Sequence, residues 1–383
     1  MNLKNFFATI IFSVALAVNA FAQAADEPKV LADSAILVEA STGRILYEKN
    51  ADQRREPASM TKMLTGVLAL EKLDPLGTVN LDQEAVLTEA TSLGWSTTDS
   101  LSTRDMVNAV MVISENGGAV ALAHAVAGST EKFADMMNDK AKVLGCKDSH
   151  FVNPNGLPNP NHYSTAADMA RIAVYCMKNP AFRDVVNKDR TSIRWINPKD
   201  KWLELANTNE LLEKYNGANG IKTGWTEAAG GCLAASAKRG EIELIAIVMH
   251  SPDHDSRFED AANLLNYGFE HVRMVSGINK DRMEKNVLVR GGKRATLRVA
   301  AKENLDFPLM TGEDAKLFQV TYDLPKIIDV GKGIEKGTIL GEAVLRYDGK
   351  PVARVPLVAR DSVSEGFSFS SLLVQIVAPL LGK

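Results

Sequence analysis

Hydrophobic and polar positions divide the chain into segments of different period. Residues 34–38 and 44–47 are apolar or β-prone runs flanking Ser41-Thr42-Gly43, which predicts a hairpin with glycine in its turn. Over residues 59–73 the apolar positions Met63, Leu64, Val67, Leu68 and Leu70 predict a helix, its entry fixed by Pro57. Residues 103–114 and 118–127 read as two further helices, the second rich in alanine, with a polar break at 114–117. Residues 151–163 form a loop dense in Asn and Pro, and Ser164-Thr165-Ala166-Ala167-Asp168 is a helix start. Strands are predicted at 220–224 and 231–237 around a turn at 227–230, and 242–248 is apolar enough to be a central strand. An amphipathic helix follows at 258–271. Helices thus lie between an early hairpin and a late group of strands, which must pair across the chain to make one sheet.

Beyond residue 275 the texture changes. Runs at 286–289, 295–299, 317–321, 339–346 and 352–357 alternate with turns, and Asp348-Gly349 is a strong hairpin signal. This is the pattern of a small all-β domain, read as a sandwich over 275–362, after a larger domain over 28–274. Two apolar segments flank these domains. At the N-terminus Lys4, an apolar stretch from 6 to 18 and Ala20-Phe21-Ala22 read as a signal peptide over 1–22. At the C-terminus, residues 365–383 are apolar apart from a face carrying Ser368, Ser371 and Gln375, which predicts an amphipathic helix. An interfacial membrane anchor is the functional reading of that helix, and docking on protein is the structural one.

The 383 residues fit two domains, and 45% hydrophobic with 24% charged residues is globular composition. A formal net charge of -3 offers no basic field, which sets nucleic acid aside as a partner. Cys146, Cys176 and Cys232 show no C-x-x-C spacing and read as buried small hydrophobes, with room for one disulfide. The six histidines form no H-E-x-x-H cluster, so the sequence implies no metal.

Three short peptides carry chemistry: Ser59-Met60-Thr61-Lys62, Ser114-Glu115-Asn116 and Lys222-Thr223-Gly224. Ser59 and Lys62 lie one helical turn apart and can meet, and a lysine whose pKa is lowered by burial can take the proton of a serine nucleophile. In an extended break, Ser114 and Asn116 project into one cleft while Glu115 points away. Gly224 in a strand lets an extended substrate approach and pair, with Thr223 and Lys222 offering a hydroxyl and a cation to its carboxylate. Each peptide alone is an ordinary cap, surface lysine or strand end. Their order and settings together point to acyl transfer.

With these motifs the chain resembles the low-molecular-mass penicillin-binding proteins of the serine D-alanyl-D-alanine carboxypeptidase type, over nearly its whole length. Asn155-Gly156-Leu157, His162-Tyr163-Ser164-Thr165-Ala166 and Asp255-Ser256-Arg257-Phe258 add to the likeness. The resemblance implies an α+β, β-lactamase/transpeptidase-like catalytic domain, with an antiparallel sheet flanked by helices plus a helical subdomain. The small β domain and the C-terminal amphipathic helix would follow it.

The same resemblance implies an acyl-enzyme on Ser59, with Lys62 as proton acceptor, Ser114 as proton shuttle and Asn116 holding Lys62 and the substrate amide. It makes the backbone N–H groups of Ser59 and Trp225 the oxyanion hole, adds positive potential at Lys222, and gives Thr223 and Arg257 the substrate carboxylate. No cofactor is required. The implied partners are peptidoglycan stem peptides, β-lactams as covalent inhibitors and the outer face of the cytoplasmic membrane. The family often has His at the position of Asn155, and Gly or Asp at that of Glu115. A β-lactamase would share all three motifs, but residues 151–163 contain no acidic residue to activate a deacylating water. A D,D-endopeptidase and a non-catalytic wall scaffold complete the alternatives.

Overall fold

The computed structural model describes residues 27–366. The expected signal peptide and the C-terminal helix from 367 onward lie outside the described residues. Strand β1 (Ser34–Glu39) forms a hairpin with β2 (Ile45–Lys49), as the spacing around Gly43 predicts. The late strands are β3 (Ala218–Thr226), β4 (Gly230–Arg239) and β5 (Ile242–Ser251). All pair antiparallel in the order β2-β1-β5-β4-β3, with Leu37 opposite Ala246. The cross-chain pairing expected from sequence is therefore present.

Period-two alternation explains why this sheet is buried on both faces. Ile36, Val38, Ala234, Ile245 and Ile247 point into the larger core, while Ala35, Leu37, Leu233, Ala235, Leu244 and Ala246 point into a second one. On the larger-core side lie helices α1 (Lys62–Lys72), α2 (Thr103–Val112), α3 (Asn116–Ala127) and α4 (Ala166–Met177). Helix α5 (Ser256–His271) covers the other face through Ala261, Leu264 and Leu265. Each leucine so buried contributes on the order of 1.5–3 kcal/mol.

The helical part holds more than the sequence reading found. Helices Thr130–Val143 and Pro180–Val186, and a four-stranded sheet that includes Arg190–Asn197 and Trp202–Ala206, were not expected. The two strands of that hairpin are mostly exposed and leave Ile196, Trp202 and Leu203 in solvent, so their apolar residues do not follow a clean alternation.

The β domain follows directly from α5. Val272–Ile278 pairs with Leu305–Met310, and its ends sit in different cores: Val272 against the catalytic sheet, Ile278 within the β domain. A six-stranded sheet completes the domain, and its hairpin Ile339–Tyr347/Lys350–Ala359 turns at Asp348 (φ 47°) and Gly349 (φ 73°). Two left-handed residues are what a two-residue type I′ turn demands. Arg44, in the β1–β2 turn region, joins the domains by an ion pair with Glu313 at 2.5 Å and by lying over the Phe307 ring.

Candidate active site

Ser59 is not the first residue of the α-helix. Ala58–Thr61 is a turn of 3-10 helix capped by Pro57, and α1 begins at Lys62. In a 3-10 turn, side chains at i and i+3 eclipse one another. The spacing therefore brings Lys62 Nζ to 2.8 Å from Ser59 Oγ. Ala58 itself is left-handed at φ 45°, a conformation disfavoured for residues with a Cβ. Gly156 packs against this turn: at φ 83°, a Cβ added there would lie 1.9 Å from the Ala58 carbonyl oxygen. Only glycine fits that approach.

Lys62 is wholly buried and has three partners: Ser59 Oγ, Asn116 Oδ1 at 2.6 Å and the Asn155 carbonyl at 2.6 Å. Burial, and then the neighbouring Lys222, hold its pKa well below the usual lysine range, while Glu115 opposes them. In the neutral amine two N–H groups go to the two carbonyl acceptors, which leaves the lone pair facing the Ser59 hydroxyl.

The second motif differs from the extended segment expected. Ser114 is left-handed at φ 66° and ends helix α2, Glu115 is extended, and Asn116 is the first residue of α3. Among the described residues the half-buried Ser114 hydroxyl has no hydrogen-bond partner. Asn116 donates its Nδ2 to the carbonyls of Glu89 (3.0 Å) and Ala90 (3.2 Å), which orients the opposite end of the amide toward Lys62. Glu115 does turn from Lys62, but into protein rather than solvent. It is buried and accepts from Trp95 Nε1 and from Ser92.

The third motif lies on strand β3 at the edge of the main sheet. Gly224 serves a closer neighbour than substrate: a Cβ there would stand 3.1 Å from the Pro57 carbonyl oxygen and 3.2 Å from the Ser59 backbone nitrogen. Lys222 is buried and donates to the Thr223 carbonyl at 2.9 Å. Burial and the Arg257 guanidinium push its pKa down to about 7. Thr223 exchanges a hydrogen bond of 2.7 Å with Thr208, a residue sequence reasoning missed because no motif surrounds it. Arg257, on the first turn of α5, donates to the Gly224 carbonyl at 2.8 Å, and its buried Nε has no partner. The Trp225 side chain is 40% exposed and stacks on His254 with centroids 4.0 Å apart. Cys232, across the ladder from Gly224, is a buried thiol raised by desolvation to about 11, and all three cysteines are free.

The structure thus brings Ser59, Lys62 and Asn116 into one hydrogen-bonded group, and ties Arg257 to the strand that carries Lys222, Thr223 and Trp225. Asn155 stands where the family often has His. Its side chain does not meet Lys62, but its backbone carbonyl does, and a carbonyl contact of that kind leaves no residue-type signal in sequence.

A serine facing a buried lysine beside the edge of an antiparallel sheet, on this α+β frame with an all-β domain behind it, defines a penicillin-binding-protein type of serine hydrolase. Residues 21–253 match the D-alanyl-D-alanine carboxypeptidase family, and residues 269–365 match the penicillin-binding protein 5 C-terminal domain. The chain is 33% identical to the D-alanyl-D-alanine carboxypeptidase DacF of Bacillus subtilis over 340 residues, 87% of this chain and 86% of the relative. It is 30% identical to DacC of Escherichia coli over 359 residues, 91% of this chain and 88% of that one. The crystal structure of penicillin-binding protein 5 from Haemophilus influenzae superposes with a TM-score of 0.72 at 27% identity, covering 88% of this chain and 99% of that one. The chain belongs to the D-alanyl-D-alanine carboxypeptidase family.

Proposed function

We propose that this serine hydrolase removes the terminal D-alanine of peptidoglycan stem pentapeptides through an ester on Ser59. The observation that carries the reading is the Lys62 amine, held by two carbonyls with its third contact on the Ser59 hydroxyl. Ser59 Oγ attacks the carbonyl between the two D-alanines, and its proton passes to Lys62. The developing oxyanion is held by the backbone N–H groups of Ser59 and Trp225, an effect worth several kcal/mol in such sites, about 3–4 per donor. The C–N bond breaks as Ser114 relays the proton from Lys62 to the leaving amine. Thr223, Lys222 and Arg257 bind the departing carboxylate. Water then hydrolyses the ester.

Slow deacylation of β-lactams follows from the same geometry. The loop beside Ser59 and Lys62 contributes the Asn155 carbonyl and no carboxylate, so penicillin is expected to leave a lasting adduct rather than be turned over. D-Alanine release from a defined pentapeptide, with Ser59→Ala as control, tests the proposal together with mass measurement of the penicillin adduct. Activity surviving Ser59→Ala would sink the mechanism, and rapid penicillin hydrolysis would favour a β-lactamase. Monomeric against cross-linked peptide separates carboxypeptidase from endopeptidase action. For the cellular setting, the signal-like residues 1–22 and the apolar tail over 365–383 support export and peripheral attachment at the outer face of the cytoplasmic membrane. Among the described residues no helix is long and apolar enough to cross a membrane.

A further inference from the structure

Glu115 is a buried carboxylate that the mechanism above does not use. It sits between two of the site residues and accepts three hydrogen bonds: Trp95 Nε1 donates to Oε1 at 2.9 Å, while the Ser92 amide (3.1 Å) and hydroxyl (2.7 Å) donate to Oε2. All three come from neutral donors on one segment without regular structure, between helix Gln83–Leu87 and strand Ser100–Ser102. That segment also supplies the Glu89 and Ala90 carbonyls to Asn116 Nδ2, and Thr91 Oγ1 to the Gly117 amide at 3.0 Å. Glu89, Ala90, Ser92 and Gly94 are exposed, so few packed side chains keep those carbonyls in place. Trp95 is the exception, buried against Trp195 with ring centroids 5.5 Å apart.

An Asn amide presents an acceptor at one end and a donor at the other, and only the acceptor end suits Lys62. The two carbonyls on Nδ2 are what forbid the opposite orientation. We propose that Glu115 is a positioning residue: by clamping Ser92 and Trp95 it holds the 89–95 segment against the 114–117 turn, and so fixes the Asn116 amide with its oxygen toward Lys62. This rests on the reading of Lys62 as the proton acceptor.

The clamp also places a negative charge near Lys62. The groups acting on Lys62 are Lys222 from strand β3, which disfavours its protonation, and Glu115, which favours it. His162, from the 151–163 loop, is pushed down to about 4 by burial and titrates only at the acid end of the range, and Arg257 acts on Lys222. Replacing Glu115 by a neutral residue therefore makes Lys62 easier to deprotonate.

Charge and clamp separate in experiment. The second-order rate of Ser59 acylation by benzylpenicillin would be measured from pH 4 to 9 for wild type, Glu115→Gln, Glu115→Ala and Trp95→Phe, with thermal unfolding of each. Glu115→Gln, nearly isosteric, is expected to move the acid limb to lower pH and to lower the plateau several-fold. Trp95→Phe removes one clamp bond and keeps the charge, so it lowers the plateau with the limb unmoved. Glu115→Ala does both and costs the plateau more, on the order of 10²-fold if the amide is released. An acid limb and plateau for Glu115→Gln equal to wild type would overturn the inference, as would a uniform loss at every pH tracking lost thermal stability. A wild-type protein that forms no adduct on Ser59 defeats the acyl-enzyme reading and this inference together. A normal wild-type adduct with the Glu115→Gln limb and plateau both unchanged defeats this inference alone.

Discussion

Two lysines buried beside one another are a stability cost that can be measured. Lys222 is about 1% exposed, makes one hydrogen bond to the Thr223 carbonyl and lies near Arg257, so its pKa falls from 10.5 to about 7. At ~1.4 kcal/mol per pKa unit, that fall corresponds to roughly 5 kcal/mol of penalty on the folded state. The penalty is complete below pH about 7, where native and unfolded lysine are both charged. It is relieved as pH rises toward the unfolded pKa near ~10.4, because over that window the unfolded chain binds more protons. Between pH 7 and 9 the wild type should gain about 2 kcal/mol from Lys222 alone, with Lys62 acting in the same direction. Lys222→Met keeps the length of the side chain and removes the charge. It should be the more stable protein at pH 7 and should lose that share of the pH dependence, while binding substrate carboxylate poorly. The assay is urea unfolding followed by tryptophan fluorescence at pH 7, 8 and 9. All four tryptophans (Trp95, Trp195, Trp202 and Trp225) lie before the β domain, so the signal reports the catalytic part. Parallel pH dependence in the two proteins, within ~0.5 kcal/mol, would refute the account of Lys222 as a buried cation.

Two further substitutions test the frame around Ser59. Gly156→Ala puts a Cβ 1.9 Å from the Ala58 carbonyl oxygen at a left-handed position, so the loop carrying the Asn155 carbonyl must move by about 1 Å. Acylation by penicillin should fall on the order of 10²-fold and thermal stability should drop; a loss under threefold would show that the close approach is not needed. Arg257→Lys keeps the charge but not the fork that meets the Gly224 carbonyl, so KM for a D-Ala-D-Ala peptide should rise about tenfold with kcat less affected, read from initial rates of D-alanine release.

Much of the catalytic frame was legible because its strands are apolar and its turns use glycine. The run over 242–248 is buried on both faces of the sheet, which is why it read as central, and Asp348-Gly349 turns the hairpin its dihedrals require. The hairpin Arg190–Asn197/Trp202–Ala206 escaped for the opposite reason. Ile193, Trp195 and Leu205 are buried in it, but the exposed hydrophobics Ile196, Trp202 and Leu203 stand beside them and break the alternation. The helix at 118–127 began two residues early for a related reason. Gly117 and Gly118 discourage a helix reading, yet both lie in α3, and packing requires the first to be glycine: a Cβ on Gly117 would stand 2.4 Å from the Ala85 carbonyl oxygen.

In the site the residue types were readable and the backbone was not. Ser59 and Lys62 meet because of a 3-10 turn, and Ser114 is left-handed, where an α-helix and an extended break were the expectations. Both departures put a residue other than glycine at positive φ beside the Ser59–Lys62–Asn116 group: Ala58 before Ser59, and Ser114 two residues before Asn116. Such conformations persist only where the surroundings over-determine them. Here Gly156 and Gly224 crowd the Ala58–Ser59 backbone, and Glu115 fastens the residue after Ser114 to Ser92 and Trp95. Local propensity argues against each of these turns, and the contacts that impose them come from residues between 20 and 166 positions away. The Ser59–Lys62 geometry is therefore a property of the packed chain, and the Gly156 and Glu115 substitutions probe it more directly than changes at Ser59 do.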